Sequence, residues 1–449
     1  MAPTNKIKLI VLSSVSPPPG SVPATSLPLT FLDLPWLPFP PGQPLFFYHF
    51  PISTLQFTQT VLPNLRHSLS FTLQYFFPFA GKLVLPPEPN KPFIEYTEGD
   101  SVSLTVAESD GDFSYLSGDG QRKFEDLHCL VPKLPDGEKD SLLAIQITVF
   151  PGCGICFGFA LRPVVADGRT FDNFLKMWAS LTRKNGGEDL HCSASIHDRS
   201  VIHDPSGLES TFLKEWWKIK KSEEKELLHS TCSNFHDMVR TTFVLGRPEM
   251  EKIKKWILLH GSKHMLLSPY VLTCAYVWVC WMKTHWPIDE DSEKIHYFGF
   301  IAGGITRMNY PVPTSYVGNC VAFGRLGAIR KDLMAENGIV YAAKVIGNTI
   351  KKLDGNVLGG AKNWISEWKI LLESELHVTI TGSPKLKFYS LDFGWGRPEK
   401  IEVSIDEMRA ISLCESRDVV GGIEIGLTLP KSKMDRFSSL FIKGLNNLF

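Results

Sequence analysis

Residues 158–171 read GFALRPVVADGRTF, and this stretch decides the fold class because it joins two kinds of local structure. Before its end, residues 142–150 and 154–161 form two apolar runs of strand length that a Pro-Gly turn separates. After the Asp-Gly pair, apolar side chains recur at helical spacing over residues 169–181. Two central strands, a turn and a helix predict a mixed α/β fold, and such a turn is a natural place for functional side chains.

Helical and strand-like patterns extend in both directions from this stretch. Prolines and aromatic residues crowd the first 50 residues, which predicts an irregular segment wrapped over a core. Residues 55–77 follow a helical period, and residues 93–96 and 101–106 alternate as strands do. In the C-terminal half we predict helices at residues 248–259, 269–283, 340–353 and 361–372, and strands at residues 297–301, 378–380, 388–393, 400–405 and 422–429.

The length of 449 residues is sufficient for two domains rather than one. Periodicity breaks in the middle of the chain, where Asn-Gly-Gly and Asp-Pro turn signals occur within a run of mixed charge. We therefore predict an N-terminal domain at residues 1–184, a crossover loop at residues 185–222 and a C-terminal domain at residues 223–449.

Composition and charge exclude several classes of partner. The 47 basic and 47 acidic residues balance, whereas a nucleic-acid-binding domain carries a basic excess. The apolar run after Lys8 is too short for a signal peptide, and no apolar stretch approaches the ~20 residues of a membrane helix. Cys153 and Cys156 form a C-x-x-C pair without a second pair, so no metal site is predicted. We expect a cytoplasmic protein without nucleic-acid or membrane partners.

Four motifs together resemble one enzyme family. Residues 392–396 read DFGWG, and residues 316–320 read YVGNC. Residues 27–37 read LPLTFLDLPWL, and residues 380–384 read ITGSP. The DFGWG motif matches the plant BAHD acyltransferases without a change, and YVGNC is one residue from the YFGNC motif of their anthocyanin and phenolic glucoside branch. The chain is therefore identified as a member of this family, with a resemblance that runs nearly end to end.

The resemblance implies a fold and a reaction. The fold would be α/β, with two similar-sized domains like those of chloramphenicol acetyltransferase flanking a central solvent tunnel, in a protein that acts as a monomer. The reaction would transfer a malonyl or aromatic acyl group from acyl-CoA, as co-substrate, to a hydroxyl of a phenolic or anthocyanin glycoside. No bound cofactor is implied. The residues that match family positions are Asp167 and Pro163 at the catalytic motif, Trp36, Arg162, Asn319 and Thr381 at the substrate site, and Asp392, Gly394, Trp395 and Gly396 in the structural motif.

The catalytic motif of the family, H-x-x-x-D-G, is incomplete in this chain. Asp167 and Gly168 match its end, but Pro163 stands where the histidine should be and Arg162 precedes it. In the family mechanism the histidine takes the proton of the acceptor hydroxyl as that oxygen attacks the thioester. Proline has no titratable group, so we expect impaired or non-standard catalysis.

A second departure concerns the partner of the motif aspartate. Relatives carry a D-x-R-x-R stretch whose first arginine is thought to pair with that aspartate. Here the corresponding positions are Gly303 and Ile305, and only Arg307 remains. Arg162, Arg169 and Arg307 are the candidates for a substitute partner of Asp167.

Three functional hypotheses follow. The chain is a slow acyltransferase or one with a substitute base, for which Asp167 and four histidines are candidates, namely His49, His128, His285 and His377. Alternatively, the scaffold is repurposed for CoA-independent chemistry of a small metabolite, such as a lyase step, a rearrangement or a cyclisation. In the third hypothesis it binds a metabolite or a partner enzyme without catalysis.

Overall fold

A computed structural model describes residues 6–134, 140–184, 195–221, 236–286, 293–373, 376–405 and 410–446. The two central strands and the helix after them are present at Leu143–Phe150, Gly154–Leu161 and Gly168–Arg183. Both strands are buried along their whole length, which explains their continuous apolar sequence.

The described strands belong to three sheets. In chain order they are β1 Ile7–Val15, β2 Thr25–Pro28, β3 Leu45–His49, β4 Lys82–Val84, β5 Phe93–Tyr96, β6 Val102–Ser109, β7 Arg122–Lys123, β8 Asp140–Ser141, β9 Leu143–Phe150, β10 Gly154–Leu161, β11 Met238–Leu245, β12 Ile295–Gly303, β13 Val321–Ile329, β14 His377–Thr381, β15 Lys400–Glu402, β16 Ala410–Glu415 and β17 Ile423–Pro430. An N-terminal sheet has the order β1-β6-β9-β10-β3-β15, a C-terminal sheet the order β13-β12-β14-β16-β17-β11-β7, and a small sheet the order β2-β5-β4-β8.

The helices pack on the two large sheets. They are α1 Thr54–Gln56, α2 Leu62–Tyr75, α3 Phe113–Leu116, α4 Phe124–His128, α5 Gly168–Arg183, α6 Leu208–Lys221, α7 Arg247–His260, α8 Pro269–His285, α9 Arg330–Met334, α10 Gly338–Gly355, α11 Trp364–Glu373 and α12 Lys431–Asn446. The apolar side chains of α2 and α5 join the core of the N-terminal sheet, and those of α8 and α10 join a second core on the C-terminal sheet. None of the described helices combines the length and the apolar character that a bilayer span requires.

The two large sheets exchange short strands. β15 comes from the C-terminal half of the chain but pairs with β3 in the N-terminal sheet. β7 comes from the N-terminal half but pairs with β11 in the C-terminal sheet. A buried ion-pair group accompanies this exchange, because Glu402 of β15 contacts Arg122 at 2.6 Å and Arg240 at 2.8 Å. The halves are therefore joined by backbone pairing as well as by a connecting segment.

The structure corrects three local expectations. The predicted strand at residues 388–393 is wrong: Phe388–Ser390 form a turn of 3₁₀ helix that leads into the DFGWG loop. The predicted crossover loop contains the helix Leu208–Lys221, whose buried face holds Phe212 and Trp216. The first 50 residues are more regular than predicted, because they contribute three strands. Of the Cys pair, Cys156 is buried in β10 while Cys153 is exposed in the turn before it.

Candidate active site

Asp167 lies in the turn between β10 and α5, where it is the N-cap residue of the helix. Its Oδ1 accepts a hydrogen bond from the Thr170 N–H at 2.8 Å, which satisfies one of the N–H groups that a helix start leaves free. Its Oδ2 accepts a hydrogen bond from the Cys320 N–H at 3.0 Å. The carboxylate is 7% exposed and joins segments that lie 153 residues apart in the chain.

The YVGNC segment packs directly against this turn. Asn319 Nδ2 donates to the carbonyl oxygens of Pro163 and Val164, each at 3.1 Å. Thr170 Oγ1 donates to the Gly318 carbonyl oxygen at 3.0 Å. Position 163 and Asn319, predicted as site residues from separate motifs, are therefore brought into contact.

Two further segments complete this arrangement. Asp33 Oδ1 accepts hydrogen bonds from the Asn319 backbone N–H at 3.2 Å and from its Nδ2 at 3.0 Å. Arg199 Nη1 donates to Tyr316 Oη at 2.6 Å and lies 3.8 Å from Asp33 Oδ2. Gly318 has a φ of 153°, and a Cβ there would collide with Arg199 and Tyr316, so the close approach requires glycine.

We call this arrangement the junction: residues 163–170 and 314–320 together with Asp33 and Arg199. Sequence reasoning missed the last two residues. Asp33 carried a usable signal, since it is a carboxylate within the apolar run at residues 27–37 and is fully buried. Arg199 lies within the predicted crossover loop, where nothing in the local pattern distinguished it.

Arg169 is the cation beside the motif aspartate. Its Nη2 lies 3.6 Å from Asp167 Oδ1. The same guanidinium donates to the Thr314 carbonyl at 2.8 Å and to the Tyr316 carbonyl at 2.9 Å. Arg169 thus contacts Asp167 and also fastens the start of α5 to the YVGNC segment.

The other two arginines that we considered as partners of Asp167 form ion pairs elsewhere. Arg162 Nη2 lies 3.0 Å from Asp140 Oδ1, and its Nε donates to the Ser141 carbonyl at 3.0 Å. Arg307 Nε lies 2.7 Å from Asp354 Oδ1. Arg162 is therefore directed toward β8, although it was predicted as a substrate-binding residue from its place beside Pro163.

All four candidate histidines lie away from the junction. His49 is exposed at the end of β3, where it pairs with Gly154 at the far end of β10 from the turn. Seven residues of strand separate Gly154 from the end of β10, or about 23 Å. His128 ends α4 and His285 ends α8, outside the junction.

The fourth candidate, His377, is buried at the start of β14 and pairs with Tyr297 of β12. β12 continues for six residues from Tyr297 to Gly303, and the next residue donates its N–H to the Cys320 carbonyl at 2.8 Å. His377 therefore lies at the opposite end of β12 from the junction, about 20 Å along the strand.

Cys320 is the other nucleophilic side chain at the junction. Burial and, to a lesser extent, the Asp167 carboxylate raise the pKa of its thiol to about 12, against a lowering effect of Arg169. The side chain is therefore a neutral thiol at neutral pH, which makes it neither a base nor an activated nucleophile.

The two remaining residues predicted for the substrate site contact or belong to the C-terminal sheet. Trp36 is 9% exposed, and its ring lies 4.9 Å from that of Phe323 of β13. Within the described residues, Trp36 Nε1 has no hydrogen-bond partner. Thr381 ends β14 with a half-buried side chain and pairs with Ser412.

The DFGWG loop packs on the N-terminal sheet away from Asp167. Phe393 stacks on Phe157 of β10 with ring centroids 5.0 Å apart and meets Trp178 of α5 edge-on at 5.2 Å. Trp395 stacks on Phe50 at 4.7 Å. The aromatic rings of this loop thus hold α5, the helix that Asp167 caps, from its other side.

Asp392, Gly394 and Gly396 shape the loop. Asp392 Oδ1 accepts the backbone N–H groups of Gly394 at 2.7 Å and of Gly396 at 3.0 Å. Both glycines have positive φ, at 108° and 91°. The Asp392 Oδ2 atom lies 3.6 Å from Arg183 Nη1 at the end of α5. The spacing of this motif therefore follows from a tight turn around one carboxylate.

Comparisons with known proteins identify the family of the chain. The model of the Transferase family matches residues 9–442. The coumaroyl-CoA:anthocyanidin 3-O-glucoside-6''-O-coumaroyltransferase 1 of Arabidopsis thaliana is 39% identical over 98% of this chain and 97% of its own length. The malonyl-coenzyme A:anthocyanin 3-O-glucoside-6''-O-malonyltransferase of Dahlia pinnata is 38% identical over 97% of this chain and 96% of its own length.

The architecture is also that of a solved structure. Vinorine synthase superposes with a TM-score of 0.71 at 20% identity and covers 98% of both chains. It therefore supports the predicted mixed α/β fold with two sheet-containing domains. The family model and the two relatives lead to one conclusion: the chain belongs to the plant BAHD acyltransferases of the Transferase family.

Proposed function

We propose that this chain transfers an acyl group, malonyl or aromatic, from acyl-CoA to a hydroxyl of an anthocyanin or phenolic glycoside, at a rate reduced by the absence of a base at position 163. The relatives named above carry out transfers to glucosides of this class from coumaroyl-CoA or malonyl-CoA. We propose further that the chain acts in the cytoplasm as a monomer, with the domain boundaries given by the sequence.

One observation carries the proposal: Asn319 Nδ2 donates to the Pro163 carbonyl at 3.1 Å. Residue 163 thus contacts the junction, in which both oxygens of Asp167 accept hydrogen bonds. These contacts join the turn before α5 to the YVGNC segment, which supports the proposal that the substrates meet at this turn. Pro163 itself offers no titratable group there.

Proton removal is the step that Pro163 leaves unassisted. Transfer forms a bond between the acyl carbon and the acceptor oxygen and breaks the carbon–sulfur bond of the thioester. The acceptor proton must then pass to solvent or to the departing CoA thiolate. Asp167 is a poor substitute base because its two oxygens accept backbone N–H groups. Cys320 holds its own proton.

The expected loss is limited. General-base catalysis contributes typically about 10²- to 10⁴-fold in rate, whereas orientation of two bound substrates is independent of the base. A thioester is already an activated acyl donor, so transfer to a phenolate or an amine suffers less than transfer to a sugar hydroxyl.

The test is the release of CoA by the purified chain and by Pro163→His, over a panel of acyl-CoA donors with a flavonoid glucoside as acceptor. We expect slow release by the wild type and a gain of about 10²- to 10⁴-fold in Pro163→His. Pro19→His, at an exposed proline, is the matched control and should behave as the wild type.

Three results would count against the proposal. Fast release by the wild type would show that another group acts as the base, and Asp167→Asn would then be the next variant. If neither the wild type nor Pro163→His released CoA from any donor of the panel, the proposal of acyl transfer would be wrong. An equal gain in Pro19→His would assign the effect to histidine in general rather than to position 163.

A further inference from the structure

Three helices of the C-terminal half carry an excess of positive charge. α7 has four lysine and arginine residues and two carboxylates, α10 has three and one, and α12 has four and one. The chain as a whole is balanced, with 47 residues of each sign. α7 contacts both α10 and α12, and its apolar side chains share a core with the buried helix α8. α7 therefore lies at the centre of a basic part of the surface.

The outward side of α7 combines lysines with exposed leucines. Its buried side chains are all apolar, namely Met250, Ile253 and Ile257. On the other side of the helix Lys252 and Lys255 are exposed. In the last turn Leu258 and Leu259 are exposed by 37% and 72%. The described fold therefore leaves two adjacent leucines in water beside the lysines, although large apolar side chains are ordinarily buried.

The loop after α7 and one side of α10 extend this surface. Lys263 and His264 are exposed in the loop, and Lys351 Nζ of α10 donates to the His264 carbonyl oxygen at 3.1 Å. Lys344 precedes Lys351 by seven residues, so both exposed lysines lie on the same side of α10. We call this surface the basic face: the exposed side of α7, residues 261–264, and Lys344 and Lys351.

The carboxylates of α7 offset little of this charge. Glu249 Oε2 accepts the Gly246 N–H at 3.1 Å at the start of the helix, and Glu251 Oε1 lies 3.5 Å from Lys254 Nζ. Four exposed lysines of the basic face form no ion pair within the part of the chain that the structure describes, namely Lys252, Lys255, Lys263 and Lys344. Their charge is therefore available to a partner of negative charge.

The layout of the basic face selects among such partners. Lys252 and Leu259 lie seven residues apart, or about 10 Å along α7, so the charges are spread over a broad surface and do not converge on one small anion. A stable protein interface buries about 800 Å² on each partner and is depleted in lysine, which two leucines among lysines do not match. A bilayer with anionic lipids suits this combination, because lysines are attracted to its surface while leucines enter the boundary between headgroups and acyl chains.

We propose that the basic face docks on a bilayer that contains anionic lipids, with Leu258 and Leu259 inserted at the headgroup boundary. The expectation of a chain without membrane partners came from the lack of spanning segments in the sequence, which a surface contact does not need. The inference is independent of the proposed function, since bilayer binding and acyl transfer are measured separately. Each lysine near the bilayer surface strengthens binding by about fivefold, and salt screens this attraction.

Sedimentation of the full chain with vesicles tests the inference. One set of vesicles is phosphatidylcholine alone, and the other contains about 30% phosphatidylserine. We expect binding to the phosphatidylserine vesicles to be at least about tenfold stronger and to be largely lost at about 1 M salt. Failure to bind the phosphatidylserine vesicles, or equal binding to both sets, would overturn the inference.

Lys252→Glu/Lys255→Glu reverses two charges of the basic face. We expect binding to the phosphatidylserine vesicles to weaken by at least about tenfold. Lys8→Glu/Lys133→Glu, at two exposed lysines of the N-terminal half, changes the net charge equally and should bind as the wild type. An equal loss in this control would assign the binding to net charge and would overturn the inference.

Leu258→Ser/Leu259→Ser tests the apolar part of the contact, because it keeps every charge. We expect binding to weaken by at least about fivefold, since the leucines no longer leave water. Leu9→Ser/Leu12→Ser is the matched control, at two leucines of β1 that are 60% and 69% exposed, and it should bind as the wild type.

Circular dichroism identifies the folded variants. If a variant of α7 does not fold, Lys344→Glu/Lys351→Glu on α10 supplies an independent charge reversal, with the same expected loss. Unchanged vesicle binding in a folded variant of the basic face would overturn the inference. Binding of the wild type to polyglutamate but not to vesicles would assign the basic face to an acidic protein, and would overturn the inference as well.

Discussion

The junction and the DFGWG loop hold α5 from opposite ends by different means. At the junction the contacts are hydrogen bonds to Asp167, Asn319 and Arg169, made across the two halves of the chain. At the DFGWG loop they are aromatic contacts of Phe393 and Trp395 with the N-terminal sheet and with α5. The loop has every residue of its motif, whereas the junction has Pro163 at the position of the proposed base. The comparison teaches that aromatic packing and buried hydrogen bonds can fasten the same helix from two sides.

The largest effect on stability is expected at the DFGWG loop. Phe393→Ala removes a ring that is 4% exposed and contacts four aromatic neighbours. We expect the free energy of unfolding to fall by about 3–5 kcal/mol, as measured by urea denaturation. Phe71→Ala, at a ring that is 39% exposed, serves as the control. If both variants lost the same free energy of unfolding, the Phe393 ring would stabilise the fold no more than an exposed ring does.

Glu402→Gln tests the buried ion-pair group of β15, which follows the DFGWG loop. Burial alone raises the pKa of Glu402, but Arg122, Arg240 and Lys400 outweigh it and hold that pKa well below its usual range. Loss of the carboxylate leaves two buried guanidiniums without their counter-ion, at a cost of about 3 kcal/mol or more. Thermal denaturation measures the loss, and Glu399→Gln, at a half-exposed ion pair with Arg417, is the control with an expected loss below about 1 kcal/mol.

Asp167→Ala tests the hydrogen bonds of the junction. It removes the cap of α5 and leaves the buried Cys320 N–H without its acceptor, so we expect a loss of about 2–3 kcal/mol in urea denaturation. Asp167→Asn keeps an oxygen for the cap and should lose less. If Asp167→Ala and Asp167→Asn destabilised the chain equally, the hydrogen bonds of Asp167 would not be what stabilises the junction.

Arg169→Ala should have a smaller effect, about 1–2 kcal/mol, because its guanidinium is partly exposed and its carbonyl partners can turn to water. Arg169→Lys keeps the charge near Asp167 but cannot donate to both carbonyls, so we expect an intermediate stability. Stability measured at low and at 1 M salt separates the two contributions, since only the ionic one is screened. If the stability difference between wild type and Arg169→Ala disappeared at 1 M salt, Arg169 would stabilise the fold through its charge alone, and its hydrogen bonds would contribute nothing.

The last prediction concerns the pH dependence of stability, which is absent at neutral pH and develops only as the pH falls. Burial and, to a lesser extent, the charge of Arg199 lower the pKa of His197, next to the junction, to about 4. In the unfolded chain this histidine has a pKa of about 6.5, so the unfolded state binds the extra proton and stability falls as the pH decreases from about 6.5 to 4. Glu402, with its lowered pKa, adds a loss only below the unfolded value of about 4.3.

Free energies of unfolding measured from about pH 7 down to about pH 3 should therefore decrease in two steps. His197→Gln should flatten the upper step, and Glu402→Gln should flatten the lower one. An upper step that survives in His197→Gln would point to His296, whose pKa burial and Arg330 also lower to about 4.

Local pattern alone predicted the elements that carry a strong period. Three elements lie where the sequence predicted them: the strands Leu143–Phe150 and Gly154–Leu161 and the helix Gly168–Arg183. Their continuous apolar runs and amphipathic spacing involve only residues that are close together in the chain. The absence of a base at position 163 is likewise a property of the sequence. The identity of Phe388–Ser390 as a 3₁₀ turn was not predictable, since short apolar runs suit either a strand or a turn.

Only the tertiary structure decided which charges meet. The sequence offered Arg162, Arg169 and Arg307 equally to Asp167, and distances of a few ångströms selected Arg169. The roles of Asp33 and Arg199, the separation of His49 and His377 from the junction, and the contact of Lys351 with His264 depend on contacts between distant segments. Side-chain type is set residue by residue, whereas an ion pair or a charged face depends on where two remote backbones cross.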